Sequence, residues 1–214
     1  SGNLGLMAGI EWKRTLKDLV DDVASLDKDA LDAYTVEHPS GLRVVPAPTQ
    51  PDFAGFIQPE HIQKVMELVG QVFNYVVVDS PTYLHDTVLP ALEASEEIVV
   101  VTTLDLASLQ NLKQCLDPLS RLSMRGKARI VVNRVGYSGG LKVKDLEDEM
   151  GMPVSCVLPS DERISVDAVN MGVPVYMSAR NSALSKRIGE LAKKLIASDR
   201  PDVPKVLRAA GGGA

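Results

Sequence analysis

Three short apolar runs in this chain end in residues able to handle a charged or aromatic ligand. Tyr75-Val76-Val77-Val78 runs into Asp79-Ser80-Pro81. A carboxylate just past an apolar strand can hold the Mg2+ of a bound nucleotide, often through water. Asp in that position is also a common turn former. Ile130-Val131-Val132 runs into Asn133-Arg134. A carboxamide there can donate to and accept from an adenine edge, and an ordinary turn asparagine is the alternative reading. Val154–Leu158 runs into Pro159-Ser160-Asp161, a segment that could wrap a base or cap the following helix.

Those residues need a scaffold that brings them to one place, and the rest of the sequence describes it. Short β-branched runs alternate with longer stretches of helical period, the signature of an α/β fold. Strands are expected at Leu42–Pro46, Tyr75–Asp79, Ile98–Thr102, Ile130–Asn133 and Val154–Leu158. Several of these runs are continuously apolar rather than alternating, which predicts a mostly parallel sheet flanked by helices on both faces. In such sheets ligands bind beyond the carboxyl ends of the strands, where Asp79, Thr102, Asn133 and Pro159 would then line up.

The helices carry their own punctuation. Thr15 with Asp18 reads as a capping box for a helix with Leu16, Leu19, Val20 and Val23 on one face. Pro59 suits a first helical turn. A helix from Leu106 is expected to bend or break near Pro118. Lys142–Met150 reads as a short polar helix, Ser160 as the cap of a helix ending near Gly172, and Ser182–Ala197 as the last helix, packed on the sheet. One domain over residues 1–198 is expected, with 199–214 a disordered tail.

Composition narrows the function classes. The chain has 214 residues with a net charge of −5, which argues against a nucleic-acid partner. Cys115 and Cys156 stand far apart in apolar contexts and read as reduced thiols. His38, His61 and His85 have no Cys or carboxylate at ligand spacing, so no side-chain metal centre is expected. No apolar run approaches a membrane span and no leader is visible, so a cytoplasmic location is expected.

The order of the strand-end motifs, Asp-Ser-Pro, Thr-Thr, Asn-Arg and Pro-Ser-Asp, resembles the ParA/MinD family of dimeric P-loop ATPases. The resemblance covers about Gly2 to Ala197. Within that family, His38-Pro39-Ser40-Gly41-Leu42-Arg43-Val44 with Ala47-Pro48 looks like the CpaE/TadZ pilus-assembly branch. Pro59-Glu60-His61, the Thr102–Asp105 stretch with Ser108, and Asn170-Gly172-Val173-Pro174 look the same. The resemblance implies that Asp79 matches the switch II aspartate, with catalytic and Mg2+-holding roles. It implies that Asn133 reads adenine beside Arg134, and that Pro159, Ser160 and Asp161 close over the base. ATP and Mg2+ are the implied cofactors. A homodimer, pilus or secretion-system partners and peripheral contact with the inner face of the membrane are the implied associations.

The family's glycine-rich phosphate loop, whose backbone N–H groups cradle the phosphates, is not in this sequence. Gly126-Lys127 is followed by Ala128, and Arg121 stands where the motif needs its first glycine. The resemblance puts that loop, its strand and the switch I aspartate upstream, so the sequence is expected to be incomplete at its N-terminus. It is then expected to bind ATP–Mg2+ negligibly alone. The missing strand would flank both Tyr75–Asp79 and Val99–Val101, leaving each run short of a hydrogen-bonding neighbour. Thr82 also departs from the family, which usually has a second proline there. A switch ATPase positioning a pilus machine is the leading reading. A non-catalytic localisation adaptor of the same fold is the second. A DNA-partitioning ATPase using Arg121, Arg125, Lys127 and Arg129 is the third, against a plain solvated loop.

Overall fold

A computed structural model describes residues 3–28, 30–48, 55–81, 84–136 and 141–197. Thr82 and the expected tail at 199–214 lie outside the described residues. The chain divides into two compact units, one up to Ala94 and one from Ser95.

The first unit contains helices α1 (Leu4–Met7), α2 (Leu16–Asp22), α3 (Pro59–Val72) and α4 (Leu89–Ala94), with strands β1 (Val36–Glu37) and β2 (Arg43–Val44). The capping box at α2 forms as its sequence predicts: Thr15 donates from its backbone N–H (2.7 Å) and its hydroxyl (2.9 Å) to Asp18. That start orients Leu19, Val20 and Val23 into a core shared with Leu31, Tyr34, Val65 and Val69. The Tyr34 hydroxyl donates to Asp22 at 2.6 Å, and the Arg14 guanidinium lies 4.6 Å from the Tyr34 ring centroid.

Two strand expectations in this unit need correction. The run at Leu42–Pro46 does not join a parallel sheet. Arg43–Val44 pairs antiparallel with Val36–Glu37, because His38–Gly41 turns the chain back on itself. His38 N–H donates to the Leu42 carbonyl and Gly41 N–H to the His38 carbonyl, both at 2.8 Å. Gly41 sits at φ +83°, where a Cβ is costly. The second correction concerns Tyr75–Asp79, which belongs to no strand among the described residues. Val77 is 93% exposed. An apolar run forms a strand only where a ladder partner satisfies its backbone, and this run has none there.

The second unit is an α/β layer. Strands β3 (Ile98–Thr102), β4 (Ala128–Val135) and β5 (Val154–Pro159) form a parallel sheet in that order. Helix α5 (Leu106–Arg121) connects the first pair and α6 (Val143–Met150) the second, followed by α7 (Glu162–Met171), α8 (Val175–Ser178) and α9 (Ala183–Ala197). Ile130, Val131 and Val132 are each almost fully buried. Successive strand residues face opposite ways, so β4 is covered on both faces, as its unbroken apolar run requires. Strand β3 differs: it pairs only with β4 among the described residues, and Val101 is 59% exposed.

Helix α5 runs unbroken past Pro118. The proline sits close to the helix end, and Leu122 N–H still donates to its carbonyl at 3.0 Å. Helix α9 packs on β5, pinned by Arg187 and Lys194, which donate to the carbonyls of Val157 (3.2 Å) and Ser155 (2.9 Å). Both cysteines are free thiols. No helix among the described residues is long and apolar enough to cross a membrane.

Candidate functional site at the carboxyl edge of the parallel sheet

Because β3, β4 and β5 are parallel, their carboxyl ends share one edge of the second unit. Thr102 pairs in register with Val132, and Val132 with Val157. Thr102-Thr103, Asn133-Arg134 and Pro159–Asp161 therefore come together, as the motif order requires.

The end of β4 is irregular. Between the pairs Val132–Val157 and Val135–Pro159, Asn133 and Arg134 oppose the single residue Leu158. This is a β-bulge, a device that re-aims side chains and is common beside ligand sites. Arg134 adopts φ 56°, a left-handed backbone uncommon for a non-glycine residue. Its N–H donates to the Asn133 side-chain oxygen at 2.9 Å. Asn133 is half-buried and Arg134 exposed.

The β5 end closes on the same edge. Ser160 N–H donates to the Val135 carbonyl at 2.9 Å. The cap of α7 is Asp161 rather than the expected Ser160: its carboxylate accepts from Ile164 N–H at 3.2 Å. Ser160 instead spends its N–H on extending the β4–β5 contact. Gly172 ends α7 in the left-handed conformation, φ 62°.

A third group stands after β3. Asp105 caps α5, accepting from Ser108 N–H (2.8 Å), the Ser108 hydroxyl (2.8 Å) and the Thr103 hydroxyl (2.6 Å). The Thr103 hydroxyl, then the Ser108 N–H and hydroxyl, hold this carboxyl down from its ordinary 3.8 to about 2. The sequence showed Thr103, Asp105 and Ser108 as a motif but not that they bond to one another.

Asp79 lies in the first unit, exposed at the end of the unpaired apolar run. Among the described residues it makes no hydrogen bond or ion pair, which leaves its carboxylate available to an outside ligand. The basic residues near Gly126 are differently placed, at the amino end of β4 and away from the carboxyl edge. Arg129 pairs with Glu97 at 2.9 Å, and Arg125 donates to the Met150 carbonyl at 2.5 Å. Both guanidinium groups are thus committed to the fold.

No family model matches the chain. An uncharacterised ATP-binding protein of Methanocaldococcus jannaschii is 28% identical over 196 residues, covering 91% of this chain and 72% of that protein. The septum site-determining protein MinD of Synechocystis sp. is 25% identical over 206 residues, covering 93% of this chain and 75% of that protein. The crystal structure of a ParA family ATPase from Chlorobium tepidum superposes with a TM-score of 0.81 at 26% identity, covering 86% of this chain and 76% of the other. In sequence and in fold alike, this chain is similar to the MinD/ParA family of P-loop ATPases.

Proposed function

We propose that this chain is the greater part of an ATP-dependent, dimerising switch ATPase of the CpaE/TadZ kind, which positions a pilus-assembly or secretion machine at the cell pole or membrane. The observation that carries the nucleotide reading is the meeting of Asn133, Arg134 and Pro159–Asp161 at the carboxyl edge of a parallel sheet. A carboxamide held in a bulge at that edge suits an adenine, which offers a donor and an acceptor side by side. The unpartnered carboxylate of Asp79 suits the Mg2+ that accompanies nucleotide phosphates. In this reading Asp79 orders the metal, Asn133 reads the base, and Arg134, Pro159, Ser160 and Asp161 enclose it. The pilus role rests on the motifs from His38 to Pro48 and around Asn170–Pro174. A homodimer, cytoplasmic and peripheral at the inner face of the membrane, completes the proposal.

The test uses the full-length natural protein. Asp79→Ala is expected to reduce Mg2+-dependent hydrolysis sharply while ATP still binds, because backbone N–H groups and lysine on the phosphates supply most binding energy. The same change is expected to disperse the protein from its pole or membrane site. Wild-type hydrolysis and localisation in Asp79→Ala would refute the switch and favour an adaptor that keeps the fold without turnover. The committed Arg125 and Arg129 speak against the DNA-partitioning alternative.

A further inference from the structure

Strand β5 is the last in its sheet. Among the described residues it pairs with β4 alone, so the backbone groups along its other edge need partners from elsewhere. An open row of that kind is also a template on which a strand of another molecule can pair. Successive carbonyls of a strand point to opposite edges, so Ser155 and Val157, two residues apart, share one edge. Lys194 Nζ donates to the Ser155 carbonyl at 2.9 Å, and Arg187 Nε donates to the Val157 carbonyl at 3.2 Å. Both donors come from α9, where a spacing of two helical turns puts them on one face. Glu190 steadies Arg187 by accepting from its Nη1 at 2.7 Å. At the start of the strand, Glu147 of α6 accepts from the Val154 N–H at 2.7 Å.

We propose that Arg187 and Lys194 make α9 an edge guard, which keeps β5 from adding a strand of a second copy of this chain. Every copy carries the same row of backbone groups, so an unguarded β5 can pair with its counterpart about a two-fold axis. The guard acts in two ways. Its donors occupy the Ser155 and Val157 carbonyls that an incoming strand would use. Its charges also oppose a second copy, which would bring two more cations to the same edge. Attachment of α9 to the sheet does not depend on these bonds alone. The helix also presents an apolar face, with Leu184 buried and Ile188, Leu191 and Leu195 half-buried. The proposal is independent of the nucleotide reading above.

The test uses the full-length protein without nucleotide, so that ATP-driven pairing does not contribute. The double variant Arg187→Met/Lys194→Met keeps unbranched side chains of high helix propensity and removes both donors. The control, Lys186→Met/Lys193→Met, removes two exposed charges of α9 whose side chains make no bond to β5 among the described residues. Sedimentation velocity reads association, amide hydrogen exchange over residues 154–159 reads where it occurs, and urea unfolding reads stability. Arg187→Met/Lys194→Met should associate at concentrations roughly tenfold or more below those the wild type needs, the scale of one exposed hydrogen-bonding row gaining partners. Exchange over 154–159 should slow as its concentration rises, and the control should behave as the wild type does. A folded double variant that sediments like the wild type overturns the proposal. So does association that leaves exchange in β5 unchanged, or equal association in the control. Loss of stability with unchanged association would make the two bonds a clamp and nothing more, and likewise overturns it. Should the double variant not fold, Lys194→Met alone, in the last turn of α9, carries the test: association with slowed exchange in β5 is expected, and its absence overturns the guard.

Discussion

Ile130 and Val77 occupy the centres of two apolar runs that look alike in sequence, and the structure gives them opposite surroundings. Ile130 is fully buried in the middle strand of the parallel sheet, whereas Val77 is 93% exposed. Truncating Ile130 to alanine removes buried methyl and methylene groups from a strand covered on both faces and leaves a cavity behind. The expected cost is about 2–5 kcal/mol. Val77→Ala removes carbon already in water and should change stability by less than about 0.5 kcal/mol. Urea unfolding followed by circular dichroism distinguishes the two. With a urea slope of roughly 2–3 kcal/mol/M for a chain of this size, Ile130→Ala should lower the midpoint by about 0.7–2.5 M at unchanged slope. Val77→Ala should leave the midpoint within about 0.2 M by the same conversion. A midpoint shift for Val77→Ala as large as that for Ile130→Ala would mean that the 75–79 run is packed in this chain. The account of an unpaired run would then be wrong.

Acid titration should find Asp105. Its carboxyl is held below the ordinary value, at about 2, so its contribution is present above the unfolded value near 3.8 and is lost as pH falls through about 2. Asp105→Asn should flatten the acid limb of the stability curve in that interval. Gly172→Ala should cost about 1 kcal/mol by thermal unfolding, since φ 62° opposes a Cβ. Gly126→Ala, with open space at its Cβ position and no positive φ, should fall within about 0.5 kcal/mol of wild type. Burial raises the Cys115 thiol above its ordinary value and encloses Cys156. Both should react slowly with a thiol reagent at pH 8 and rapidly once urea unfolds the chain.

The parts of the fold legible in the sequence were those whose signal named their own environment. The continuous run Ile130–Val132 announced a strand covered on both faces, and Thr15 with Asp18 announced a helix start through chemistry contained in four residues. Tyr75–Asp79 carried the same apolar signal as β4, but apolarity reports a demand for burial and not the partner that meets it. At Leu42–Pro46 the turn built by His38–Gly41 reversed the chain, so the strand that forms at Arg43–Val44 pairs antiparallel with Val36–Glu37. Ser160 reads as the cap of α7 in the sequence, but the neighbouring Asp161 takes that role because its carboxylate accepts from Ile164 N–H. Of the candidate site, the residue types and their order could be read directly. The bulge could not, because no side-chain pattern in Val-Asn-Arg-Val marks one extra residue in a strand pair.

The strand order of the second unit also bears on how that unit folds. Strands β3, β4 and β5 lie side by side in the order in which the chain presents them, with one α-helix in each crossover among the described residues. Loop-closure entropy then enters in two short instalments, and no strand has to wait for insertion between two already paired. Mean sequence separation between contacting residues is kept low for a parallel sheet, a topology that otherwise folds slowly. Nucleation on β4, whose side chains are the most deeply buried, would let pairing spread outward in either direction. Substitutions at Ile130 or Val132 should therefore slow folding, and those at the outer flank of β3 should leave its rate nearly unchanged.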